Sequence, residues 1–285
     1  MELDEITYEA RDGIAVISLD RPDVLNSISG RPGGTRDQIL HAVERAESST
    51  EVGCVVLRGN GRAFCGGGDL TGTTRRDTLA EHRQFLETAA RFHQRLTASS
   101  VPTIAAVHGY CLGAGVLMAV ACDTVVAAES ATFGFPEGRL GLVGASVLTP
   151  IIGRQWAKFL MLTGESITAR QARDIGLVLA VEPDEQLHDR SLDLAMRISR
   201  LPREAVLLNR RAIDAAADAS GEQAARAAAV EHDALTLDAS GRATAPDGRT
   251  FRSIIDTEGM AGLKRARAMQ YEHPWQHSYT PGGSP

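Results

Sequence analysis

The chain has 285 residues, 43% hydrophobic and 23% charged, enough apolar material for one substantial core with or without an appendage. A net charge of −6 argues against broad attraction to nucleic acid or to an anionic membrane surface, so an anionic ligand must be held locally. No apolar run reaches the length of a membrane span and ELDEITYEA follows Met1 directly, so the expected compartment is the cytoplasm.

ITYEARDGIAVISLD sets Asp12-Gly13 between two β-rich runs and predicts an antiparallel hairpin. After the loop RPDVLNSISGRPGG, Thr35 is expected to cap a helix reaching about Glu47, and GCVVLRG predicts a short buried strand ending near Gly59. GNGRAFCGGGDLTGTT reads as a loop. A helix from about Asp77 to Leu96 follows, with Phe85, Leu86, Ala89, Phe92, His93 and Leu96 near one face, and then a strand from Thr103 to Val107. Helix 113–121 leads to a strand in CDTVVAA, and ATFGF is one more short strand. From about Gln155 the pattern is mainly helical, interrupted by LVLAVE, and no strand is expected after Leu201. ASGRATAPDGRT reads as a loop between two helices, and HPWQHSYTPGGSP as a poorly ordered tail unless Trp275 docks on a neighbour. The alternation of strand and helix gives an α/β class.

Cys54, Cys65, Cys111 and Cys122 form no C-x-x-C pair and are not interleaved with His at metal-ligand spacing, which predicts reduced, buried fillers and no metal site. Two glycine-rich turns, RAFCGGGDL and GYCLGAGV, each free backbone N–H groups near an expected helix start, a place that suits an anion. Flexible turns and close helix packing explain the same glycines equally well. GAGVLM misses the G-x-G-x-x-G pattern at Met118, and GASVL misses the nucleophile elbow at Leu148, so neither a dinucleotide site nor a serine hydrolase is expected.

Taken in order, the motifs VISLDRPDVLNSIS, GRAFCGGGDL, PTIAAVHGYCLGAGVLMAVACDTVVAAESATFGFPEGRLGL and LTGESITARQARDIGLVLAV resemble the enoyl-CoA hydratase/isomerase (crotonase) superfamily, from about residue 3 to about residue 271. The resemblance implies a spiral of β-β-α turns with a C-terminal helical oligomerisation region. Its divisions fall at 1–200 for the spiral core with the acyl-CoA site, 201–271 for helices that join a homotrimer or a dimer of trimers, and 272–285 for a tail. It also implies an acyl-CoA thioester substrate, with coenzyme A as part of that substrate and no separate cofactor or metal.

By the same resemblance, the backbone N–H groups of Gly68 and Ala114 hold the thioester oxygen, and Arg62, Cys65, Gly66, Asp69, Leu70, Leu117 and Phe133 make up the substrate-binding set. Hydratases of the family hold a water between two glutamates. Here Leu117 stands at the first of these positions and Glu137 at the second. One carboxylate cannot easily orient a water and also handle protons on carbon, but it can carry a proton from one carbon to another. The expectation is therefore a 3-enoyl-CoA to 2-enoyl-CoA isomerase, with Leu117, Phe133 and Phe135 raising the pKa of Glu137. The alternatives are a hydratase with a different second acid and an acyl-CoA-binding protein without turnover. After LGLV the family continues P-G-A-G-G, whereas this chain reads GASVLTP, one residue shorter, which leaves the acyl group open.

Outside the matched glutamate, Asp69 and Asp123 are expected to cap backbone N–H groups, and His108 to satisfy a local hydrogen bond. Lys264, Arg265 and Arg267 either meet CoA phosphates from a neighbouring subunit or form a solvated helix face.

Overall fold

Asp12 and Gly13 adopt φ values of 54° and 82°, the left-handed backbone of a two-residue hairpin turn, and fold β1 (Ile6–Arg11) antiparallel onto β2 (Ile14–Leu19) as expected. This computed structural model describes residues 2–69, 78–140, 144, 146–219, 221–269 and 275. After α1 (Thr35–Ser48) the chain repeats one unit: β3 (Cys54–Gly59), β4 (Ala63–Cys65) and α2 (Leu79–Thr97), then β5 (Thr103–Val107), β6 (Tyr110–Leu112) and α3 (Ala114–Val120). A third pair, β7 (Thr124–Ala128) and β8 (Thr132–Gly134), runs into 3₁₀ turns at Pro136–Leu140 and Ser146–Leu148 and then into α4 (Thr149–Thr163). The spiral closes with β9 (Ser166–Thr168), α5 (Ala169–Asp174), β10 (Ala180–Glu182) and α6 (Leu187–Ser199). Three further helices follow, α7 (Arg203–Ala219), α8 (Glu222–Ser240) and α9 (Phe251–Ala268).

Each turn of the spiral gives one strand to each of two sheets. The larger sheet runs β1-β2-β3-β5-β7-β10 and the smaller β4-β6-β8-β9, parallel throughout except at the β1–β2 and β8–β9 pairs. In β3 the alternation of side chains sends Val55 and Leu57 into the main core and Cys54 and Val56 into a second one against α6, which explains its nearly continuous apolar sequence. Leu187 and Ala195 of α6 are buried in that second cluster.

Several expectations need correction. The strands β4, β6 and β9 fall in segments read as loop, turn and helix; each is three residues long, too short for a period to register. Gly34, not Thr35, is the N-cap of α1. Thr35 is its first residue and donates its hydroxyl to the buried Glu5. The expected helix start at Asp77 lies outside the described residues; α2 begins after Thr78, whose hydroxyl and Glu81 form a reciprocal capping box. The four cysteines are free and buried, and among the described residues no helix is long and apolar enough to cross a membrane.

Candidate active site

The first glycine turn is held from below by the loop after β2. Leu25 and Asn26 both have left-handed φ, 56° and 54°. That backbone lets the buried Asn26 amide donate to Asn60 O at 2.8 Å and Ala63 O at 2.7 Å while its oxygen accepts from Arg21 N at 2.9 Å. The same loop then binds the turn: Gly66 N donates to Leu25 O at 2.7 Å, Ile28 N to Gly67 O at 2.8 Å, and Asp69 N to Ile28 O at 2.9 Å. The parallel bridge between Ile28 and Gly68 is therefore built from the atoms of Gly67 and Asp69, and the Gly68 N–H is not one of its rungs. Gly68 is exposed, with nothing within 4 Å of where a side chain would begin.

The second turn leaves the adjacent strand. β6 pairs with β4 through Cys65 and Cys111, and Gly113 N continues toward β8 by donating to Gly134 O at 2.8 Å. Ala114 opens α3, so its N–H is one of those a helix cannot satisfy internally; the helix's own bonding starts with Leu117 N to Gly113 O at 3.2 Å. Gly115 lets this turn close on the first: a Cβ there would stand 2.7 Å from Cys65 O. The amide-bearing turns at Gly68 and Ala114 thus sit side by side at the ends of two neighbouring parallel strands.

The third strand of the small sheet brings Glu137. β8 ends at Gly134, and the 3₁₀ turn Pro136–Leu140 folds the Glu137 carboxyl back against Gly113. Burial pushes the pKa of this carboxyl up to about 7, against a weaker downward pull from Arg267 of α9. The pKa of Arg267 itself is lowered, first by burial and then by Arg139. Leu117, one helical turn beyond Gly113, is half-buried and forms part of the wall of a cavity of about 90 Å³.

Of the remaining expected substrate-binding residues, Arg62 is exposed at the turn before β4, Gly66 is engaged through its backbone, and Leu70 lies outside the described residues. Cys65 and Phe133 are buried, 0% and 1% exposed. The Cys65 thiol packs beneath Gly115, and burial pushes its pKa up to about 12. Asp69, expected to cap backbone N–H groups, pairs with Arg21 at 2.9 Å. Asp123 does cap, accepting from Thr103 N at 2.7 Å, and it also pairs with Arg210 at 2.7 Å. His108 bonds Gly61 O at 2.8 Å, the local role expected of it.

The basic cluster divides. Arg265 pairs with Glu258 at 2.7 Å, Lys264 is exposed, and Arg267 acts on Glu137 of its own chain. Trp275 docks within its own chain as well, its ring 5.7 Å from that of Phe159 and its backbone N–H donating to Glu165 Oε1 at 2.7 Å. Sequence reasoning missed Asn26 and the place of Arg267 beside Glu137. The signal for Asn26 was an asparagine in a loop that needs left-handed backbone; Arg267 had none, because its partner is 130 positions away.

A sequence-family profile described as "Enoyl-CoA hydratase/isomerase" matches residues 9–243. The 2,3-dehydroadipyl-CoA hydratase of Escherichia coli (strain K12) is 35% identical over 202 residues, 70% of this chain and 77% of that protein. The short-chain-enoyl-CoA hydratase of Clostridium acetobutylicum is 32% identical over 219 residues, 75% of this chain and 82% of that one. The crystal structure of an enoyl-CoA hydratase/isomerase from Xanthobacter autotrophicus Py2 superposes with a TM-score of 0.88 at 30% identity, covering 95% of this chain and all of the other. With its spiral of paired strands and a family profile matched over most of its length, this chain belongs to the enoyl-CoA hydratase/isomerase family of the crotonase superfamily.

Proposed function

We propose that the protein moves a double bond, converting a 3-enoyl-CoA to the 2-enoyl-CoA. The ionised Glu137 takes a proton from C2, the electron pair moves onto the thioester oxygen, and the N–H groups of Gly68 and Ala114 stabilise that oxyanion, each worth roughly 3 kcal/mol. The same carboxyl then returns a proton at C4 as the pair flows back, leaving the double bond between C2 and C3. Oxidation state is conserved, so the step needs no cofactor beyond the coenzyme A that the substrate carries.

The observation that carries this reading is the unequal pair of positions around the turn: a half-buried, proton-hungry carboxyl at Glu137 and an apolar side chain at Leu117. Hydration is the second reading, favoured by the names of the relatives, which are mostly hydratases. Separate incubation with 3-enoyl-CoA and 2-enoyl-CoA in D₂O, followed by mass spectrometry, decides between them. Isomerisation predicts consumption of the 3-enoyl ester with no gain of water. Rapid hydration of the 2-enoyl ester with the 3-enoyl ester untouched would overturn it, and binding without any deuterium exchange would point to a non-catalytic role.

For assembly, a homotrimer or a dimer of trimers joined through residues 201–271 is supported by α7, a 17-residue helix with no buried residue in the single chain and with Leu208 and Ile213 exposed. Four free, buried cysteines fit a cytoplasmic site of action.

A further inference from the structure

The cavity lined in part by Leu117 has a chemical character of its own. Its long walls are two helix faces with the spacing of an α-helix, Leu86 and His93 on α2 and Arg226, Val230 and Asp233 on α8. Among the described residues that line it are neither Ala114 nor Glu137. Most of the lining is apolar, as an acyl chain requires, but Asp233 is not: it is 9% exposed, and its Oδ1 is buried without a hydrogen-bond partner. An acceptor left bare in such a place is costly unless something supplies a donor. Burial lifts the Asp233 pKa to about 6, and burial, then Arg36 and Arg226, lower that of His93 to about 3, so His93 is neutral near pH 7.

We propose that this cavity receives the acyl chain and that Asp233 accepts a hydrogen bond from a hydroxyl carried on that chain away from the thioester, so that the preferred substrate is a hydroxylated acyl-CoA. The proposal rests on the reading of the protein as an acyl-CoA enzyme. Three chemistries compete for the position. A methyl end leaves Oδ1 unmet. An ammonium end would meet the guanidinium of Arg226, whose charge already reaches His93 in the same wall. A carboxylate end would be drawn to Arg226 but would set its charge against the acceptor Asp233. A neutral donor satisfies the aspartate without either conflict.

The test uses saturated CoA esters of equal length ending in methyl, hydroxyl or carboxylate, which bind but cannot react, over a series of chain lengths. Titration calorimetry on the wild-type protein, Asp233→Leu and Asp233→Asn reads the affinities. The hydroxyl ester should bind about tenfold or more tightly than the methyl ester at one chain length. That ratio should fall to one or below in Asp233→Leu and persist in part in Asp233→Asn, which keeps an acceptor. Asp233→Leu should melt no lower than wild type, since it removes a bare buried acceptor. Equal or tighter binding of the methyl ester, preference for the carboxylate, or a ratio unmoved by Asp233→Leu would overturn the hydroxyl assignment while leaving isomerisation standing. Failure of all three esters to bind would overturn both.

Discussion

The carboxyl of Glu137 fills the space that a side chain on Gly113 would take: a Cβ there would stand 2.5 Å from Oε1 and 3.0 Å from Oε2. Gly113 also has φ of +50°, which costs other residues roughly 1–2 kcal/mol. Gly113→Ala should therefore displace Glu137 and lower turnover by about a hundredfold or more, with a folded protein whose melting temperature drops modestly. Steady-state kinetics beside a thermal melt check it; unchanged turnover would mean that Glu137 does not work from this position.

The pKa of Glu137 sets the pH profile. With the base ionised only above about 7, kcat/KM should rise with pH through that value and level off above it. Stability runs the other way. Because the folded carboxyl holds its proton from the ordinary range near 4.5 up to about 7, folding loses this contribution as pH rises across that window. Glu137→Gln should lose at least about a hundredfold in isomerisation while melting higher than wild type at pH 8. A flat profile between pH 6 and 8 would exclude Glu137 as the rate-governing base.

Arg267 offers a separate handle on the same carboxyl. Its positive charge favours the ionised form, so Arg267→Met should raise the Glu137 pKa further and move the rising limb of the kcat/KM profile to more alkaline pH. A purely structural role for Arg267 would lower the plateau and leave the limb in place. The full pH profile of the variant tells the two apart.

Leu117→Glu places a second carboxylate one turn along α3. Hydration of a 2-enoyl-CoA should then rise above the wild-type background, and isomerisation should fall, because a water would be held where the wall was apolar. Spectroscopic loss of the conjugated thioester reads the outcome.

Asn26 supports the first turn through two donated bonds and one accepted bond, all to backbone, at left-handed φ. Asn26→Ala leaves those groups unmet and strains the backbone, so a loss of about 2 kcal/mol or more in denaturant unfolding is expected. Turnover should fall more steeply than binding, since the Gly66–Asp69 segment is the part set loose.

Much of this was readable beforehand. The hairpin at Asp12-Gly13 and the strands β3, β5 and β7 announce themselves because a left-handed turn and a strand buried on both faces each leave a local mark. Motif position put Glu137 and the two glycine turns in one region, and the structure folds the Glu137 carboxyl against Gly113 and pairs β4 with β6. What escaped was set by distance along the chain. Arg21 reaches Asp69 48 residues on, and α8 folds back onto α2 to set Asp233 into the cavity wall, yet an Ala-rich helix carries no mark of which face will be covered. The cavity face of α2 was visible in part, since Leu86, Ala89 and His93 fall in its apolar stripe.

The hydrogen-bond ladder of the small sheet also acts as a ruler. Two N–H groups that each lie about 2.9 Å from one oxygen, at a roughly tetrahedral angle, must stand about 4.8 Å apart, which is the ordinary spacing between neighbouring strands. Turns that leave β4 and β6 side by side begin with that separation, so in the proposed site the grip on a thioester oxygen would be gauged by main-chain pairing and would owe little to any side chain. Positions 117, 137 and 233 would then be free to change what happens to the acyl group without loosening that hold. Insertion of a single residue between Cys65 and Gly68 would do more harm than most exchanges of side chains, because it would shift one donor off the gauge.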